Sequence, residues 1–142
     1  MFQYYFPVVF VVVFNALYHI CSKQIPQDAN PLALLVVTYI VAAVTAFVGF
    51  MIMDHSHDFI GQIKAITWAP IALGVCIVGL EFGFILIYRV GWNISLASLV
   101  CNIALATVLL ALGIAFYKEN LNANQIIGVA LCAAGLVFIN KG

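Results

Sequence analysis

GLEFGFILIYRVGW, residues 79–92, sets the problem of this chain. Its glutamate, Glu81, stands inside an otherwise apolar run, with Lys64 the nearest charge before it and Arg89 the nearest after it. A carboxylate placed there costs free energy, so the surrounding sequence has to account for it. The composition makes the question sharper. Of 142 residues, 66% are hydrophobic and only 7% charged, with a mean hydropathy of +1.19, values outside the range of ordinary soluble domains. The chain reads as an all-α integral membrane protein. Five basic and five acidic side chains balance to a formal net charge of zero. The basic ones, Lys23, Lys64, Arg89, Lys118 and Lys141, are scattered, so no patch is available for nucleic acid. Every charge except Glu81 falls between hydrophobic runs or at an edge.

A helix that crosses a bilayer needs about 20 mostly apolar residues. The sequence supplies five candidates, at residues 4–22, 32–53, 68–89, 95–117 and 124–140. They are separated by KQIPQDANP, DHSHDFIGQIK, GWN and KENLNAN, stretches rich in turn formers and charge. Trp68 and Pro70 open the third run as an interfacial aromatic and a first-turn proline would. The expected architecture is a five-transmembrane-helix bundle forming one domain over residues 1–142. The first run has neither a basic leader nor a small-residue cleavage site, and is expected to be retained as a span. Cys21, Cys76, Cys101 and Cys132 belong to four different runs with no paired spacing, which suits small packing residues rather than a metal or disulfide framework.

Five spans put the termini on opposite sides. Lys64 and Lys118 then share the N-terminal side, against Lys23, Arg89 and Lys141 on the other, so the positive-inside rule barely prefers one orientation. Either features outside that count decide the orientation, or the chain inserts both ways and pairs with its inverted self.

Glu81 lies roughly 12 Å from the Arg89 end of a hydrocarbon core about 30 Å thick, close to mid-membrane depth. A charge at the centre of a spanning helix costs about 2.5–3.5 kcal/mol on insertion scales, and such groups face protein or a watery cavity. Gly79 and Gly83 form a GxxxG step on one side of the helix, suited to close helix approach. Glu81 projects from nearly the opposite side, in line with Gly74 and Tyr88. On the first run, Asn15, Tyr18, His19 and Ser22 form a polar stripe at i, i+3, i+4 and i+7. On the fourth, Ser95, Ser98 and Asn102 recur at i, i+3 and i+7. Asn15, Glu81 and Asn102 come to matching depth on three helices, with His19, Ser98 and Tyr88 nearer the membrane face. Asn15, Ser98 and Asn102 have a second use open to them as plain interhelical hydrogen-bond partners. Gly128, Cys132 and Gly135 mark a small-residue stripe on the fifth run, for a partner or an internal seam.

Low-dielectric surroundings disfavour the charged form of a carboxyl group, so an intramembrane glutamate is suited to alternate between a proton and a substrate. One acid among neutral and aromatic groups favours a cation or a proton-exchanged neutral solute, and His19 could share the proton traffic. DHSHD at residues 54–58 has ligand-type side chains but no second cluster to complete a metal site, and no metal or cofactor is expected. No nucleophile–base spacing, HExxH, phosphate loop or dinucleotide fingerprint occurs, so no enzymatic activity is expected.

NALYHICSKQIPQDANPLALLVVTYIVAA at residues 15–43 resembles the opening of an EamA-type domain of the drug/metabolite transporter superfamily, and FYKENLNANQIIGVALCAAGLVFI at residues 116–139 is similar to its ending. The resemblance implies half of an inverted-repeat transporter, in a bacterial cytoplasmic (inner) membrane, completed by an inverted homodimer or by a heterodimer with a paired homologue. The related small multidrug resistance proteins carry their glutamate on the first helix. This chain has its acid on the third instead, so their substrates are not carried over. The expected function is a small secondary transporter, proton-coupled or an exchanger, of a small metabolite or a cationic or amphiphilic solute. The alternative is a non-transporting membrane subunit whose polar groups serve assembly. Dual insertion predicts that single cysteines placed in the loops are labelled by impermeant reagents from both membrane sides. Strictly one-sided labelling would exclude the inverted homodimer.

Overall fold

The computed structural model describes residues 2–54, 58–64, 66–118 and 122–139. The described residues are helical and contain no strand: α1 (Phe2–Lys23), α2 (Pro31–Met53), α3 (Phe59–Lys64), α4 (Ala69–Arg89), α5 (Ile94–Tyr117) and α6 (Ala123–Ile139). Backbone hydrogen bonds closed within each segment are what a lipid environment demands. Four of the helices, α1, α2, α4 and α5, are long and apolar enough to cross a membrane. α6 has 17 residues, at the lower limit of about 17–25 for a span. The chain divides into two compact units, Met1–Gly91 and Trp92–Gly142.

In the first unit α4 packs against both α1 and α2. The α1–α2 connection is built by local rules. Asn30 caps α2, its side-chain oxygen accepting from Leu32 N at 2.9 Å and Ala33 N at 3.4 Å, and Pro31 fills the first helical position, where no donor is missed. Across the unit, Arg89 in the last turn of α4 donates from Nη2 to the carbonyl oxygens of Pro26 (3.3 Å) and Ala29, tying the loop to the end of α4.

The buried side chains of this unit cluster at that end. They are His19 and Ser22 on α1, Leu35 on α2, and Ile85 and Tyr88 on α4, each within about one and a half turns of Lys23, Pro31 or Arg89. The rest of α1 and α2 is dominated by exposed valine, leucine, isoleucine and phenylalanine, the surface a helix shows to acyl chains. Thr38 and Thr45 satisfy their hydroxyls on their own helix, on Leu34 O (3.0 Å) and Val41 O (2.8 Å). α3 folds back on the far end of α2, the Phe59 ring standing edge-on to Phe47 at 5.3 Å and Phe50 at 5.5 Å. Asp58 caps it by accepting from Gly61 N at 2.9 Å, and Gly61 leaves that carboxylate the room a Cβ would occupy.

The second unit is the α5–α6 pair. Lys118 ends α5 in the left-handed conformation (φ 51°), returning its N–H to Gly113 O. Gln125 reaches back to the Asn122 N–H at 2.9 Å, one half of a capping box that starts α6.

Candidate functional site

Glu81 sits on α4, about two turns in from Arg89 and just beyond the packed end of the first unit. It is half-buried and forms part of the wall of two cavities. One, of about 200 Å³, lies among α1, α2 and α4, with Tyr18, Ser22, Leu35, Thr38 and Ile85 around it. The other, of about 440 Å³, lies between α2 and α4, with Thr38, Tyr39, Ala42, Gly74 and Ile77. Among the described residues no lysine, arginine or histidine lines either cavity. The carboxyl group is therefore surrounded by hydroxyls and apolar walls.

The hydroxyls have capacity to spare. The phenolic oxygens of Tyr18 and Tyr39 are buried and meet no hydrogen-bond partner among the described residues. Tyr39 faces the Glu81 carboxyl and Tyr18 faces Ser22, each in an arrangement looser than a normal hydrogen bond, and the Glu81 charge is near enough to Tyr18 to act on it as well. Buried O–H groups normally find acceptors. Two of them next to a carboxyl, at the edge of open volume, form a donor set that a bound solute or a small rotation would use.

About two turns closer to the membrane face than Glu81, His19 and Tyr88 close on each other. His19 Nδ1 is 2.8 Å from Tyr88 Oη, and both side chains are 5% exposed, so the bond is shielded from solvent. Phe84 stands edge-on to His19 at 4.8 Å and to Tyr18 at 5.9 Å, and the Lys23 ammonium lies 5.4 Å from the Tyr88 ring centroid. His19 and Tyr88 are thus a packed contact between α1 and α4. Asn15, one turn further along α1, is exposed. In the second unit Asn102 is exposed and Ser98 half-buried, with Asn102 Nδ2 3.5 Å from Ser98 Oγ on the same helix face. Glu81, His19 and Tyr88 are therefore gathered within the first unit, whereas Ser98 and Asn102 belong to the other.

The side of α4 that meets α1 and α2 carries Glu81, Ile85 and Tyr88. At Gly79 and Gly83, and likewise at Gly128 and Gly135, no described atom comes within 4 Å of the place a Cβ would take. These glycines hold no close helix contact among the described residues. Cys132 is exposed and, like the cysteines Cys21, Cys76 and Cys101, free. His55, Ser56 and His57 of the DHSHD segment lie outside the described residues. Thr38 and Tyr39 escape a reading by depth and phase because their helix is so apolar; the adjacent polar pair inside LVVTYIVAA was the available signal. The role of Arg89 as a loop tether leaves no sequence trace beyond a basic residue at a helix end.

These features define an all-helical membrane protein with an acidic group in the wall of cavities between its spanning helices. The model of the EamA-like transporter family matches residues 3–141, nearly the entire length, and the chain belongs to that family. No curated protein and no solved structure matches it. Membership marks it as a membrane transporter of the drug/metabolite type.

Removing one member of a buried hydrogen bond leaves the other unsatisfied at a cost of about 1–3 kcal/mol. Tyr88→Phe and His19→Leu should each lower unfolding stability in mixed micelles by that order. The double variant should cost about 1 kcal/mol less than the sum of the two. Strict additivity would show that the pair is not coupled.

Proposed function

We propose that the chain is a small secondary transporter in which Glu81 exchanges a proton against movement of a small solute. The observation that supports it is the surroundings of this carboxyl group: mid-membrane depth, two cavities, adjacent phenol hydroxyls and, among the described residues, no basic side chain lining either space. An acid neutralised permanently by a lysine or arginine of its own chain would be structural. One without such a partner can carry its proton on and off. In this account Glu81 binds the proton, and Tyr18, Thr38 and Tyr39 supply polar contacts around it. The His19–Tyr88 contact closes the cavity toward the Lys23–Arg89 end.

The working unit in this proposal is a dimer, inverted or with a paired homologue, operating by alternating access. α6 serves as the fifth span, and the chain supplies one half of an inverted-repeat assembly. Two features support a partner. Asn15 and Asn102 expose amides on spanning helices, where lipid offers no hydrogen bond. Gly79 and Gly83 leave a shallow surface on α4 that a neighbouring helix could approach. Asn15, Ser98 and Asn102 are then interface or substrate groups contributed to a shared site, while Gly128, Cys132 and Gly135 are available for helix contact. The solute is a small metabolite or a cationic or amphiphilic compound, and a bacterial cytoplasmic membrane is the proposed location.

Reconstituted in proteoliposomes, the wild-type protein should show pH-gradient-driven uptake of at least one solute in a panel of cations, amino acids and metabolites. Glu81→Gln should lose the gradient-dependent part, by 100-fold or so if proton exchange is obligatory, while unfolding as the wild type does. Undiminished gradient-driven uptake by Glu81→Gln would remove this residue from the mechanism. Absence of flux for every solute would favour an assembly subunit instead.

A further inference from the structure

A third, smaller cavity lies at the membrane face where α1 and α4 end. Its volume is about 40 Å³, and Ser22, Lys23, Gln27, Tyr88 and Arg89 line it together with Ile25 and Ile85. That space holds two or three water-sized groups, about what a carboxylate or the inward oxygens of a phosphate occupy. Among the described residues no acidic side chain lines it. Glu81 belongs to the neighbouring cavity, roughly 12 Å further along α4.

Lys23 and Arg89 both line this space, where they offset the partial negative charge that the C-termini of α1 and α4 carry. Arg89 is only partly used by the loop. Its Nη2 serves the Pro26 and Ala29 carbonyls, which fixes the guanidinium in place, while its Nε is buried and meets no acceptor among the described residues. A buried guanidinium N–H with nothing to donate to is costly, and an oxyanion in the adjoining space would satisfy it in the geometry arginine uses best. Gln27 and Ser22 add neutral donors on the α1 side.

From this we infer that the cavity between Lys23 and Arg89 is a binding site for an anionic oxygen group, a phosphate or a carboxylate, carried by a membrane lipid headgroup or by a small soluble anion. Basic pockets between spanning helices at a membrane face are suited to such headgroups. The site is independent of proton exchange at Glu81 and would operate in either a transporter or an assembly subunit.

The test is ligand-induced stabilisation, because a group that binds only the folded protein raises its unfolding midpoint. Two arms separate the sources: inorganic phosphate added to protein in neutral detergent, and phosphatidylcholine nanodiscs with or without phosphatidylglycerol. At saturation the wild-type midpoint should rise by about 5 °C in at least one arm. A rise with the lipid alone assigns the headgroup, and a rise with phosphate assigns a soluble anion. Lys23→Gln and Gln27→Glu should each abolish the shift, whereas Lys64→Gln, an exposed lysine on α3, should retain it. Arg89→Gln should abolish it too, but this change also cuts the loop tether, so the first two variants decide if it fails to fold. No shift in either arm, or an undiminished shift in Lys23→Gln and Gln27→Glu, would overturn the proposal.

Discussion

The first unit is organised by the cost of putting a carboxyl group where lipid would otherwise be. Hydrocarbon offers a charge neither water nor hydrogen bonds, so Glu81 requires walls made by the protein itself. α4 obtains them by lying against both α1 and α2, with the acid on the side that meets them. The opposite side of α4, with Gly79, stays exposed. Amphipathicity in the aqueous sense is nearly absent here. What distinguishes one face of a helix from another is the position of a few polar groups.

Packing and openness are divided along the helices. Near Lys23, Pro31 and Arg89 the three helices hold together through Leu35, Ile85, the His19–Tyr88 bond and the Arg89 contacts to the loop. Two turns deeper, around Glu81, cavities replace contacts. Under the transport mechanism proposed above, a tight end beside an open middle corresponds to a binding space shut on one side. The tight end depends on few interactions, and its polar ones, the His19–Tyr88 bond and the Arg89 contacts, are directional and can break and re-form without unpacking a large core. Such contacts suit the alternating access proposed for this chain.

Much of this was legible in the residues, for reasons of scale. Long apolar runs bounded by KQIPQDANP, DHSHDFIGQIK and KENLNAN leave the backbone no alternative to helix in lipid, so the helices follow from the sequence to within a residue or two at most ends. The short α3 was not anticipated, because FIGQIK is too brief to show a period and is stabilised by Asp58 and by the aromatic contacts of Phe59. Glu81 announces itself as an isolated charge. Its neighbours were harder to name. Depth and phase pick out Tyr18 and His19 on α1, but they cannot say that His19 meets Tyr88 rather than open space, since that depends on rotamers and crossing angles. Thr38 and Tyr39 were hidden by the hydropathy of their own helix. The GxxxG rule for Gly79 and Gly83 describes a capacity for close approach, and no described helix uses it.

The central claim is that the Glu81 carboxyl group exchanges protons with water through a protein-walled space. Infrared difference spectroscopy of the protein in bilayers tests it most directly, using Glu81→Gln to assign the carboxyl band. The account predicts a protonated-carboxyl band, absent from the variant, that shifts on transfer to heavy water and disappears reversibly as pH rises. A band that resists deuterium exchange and stays unchanged with pH would contradict it, because the acid would then be sealed in place and could carry no proton.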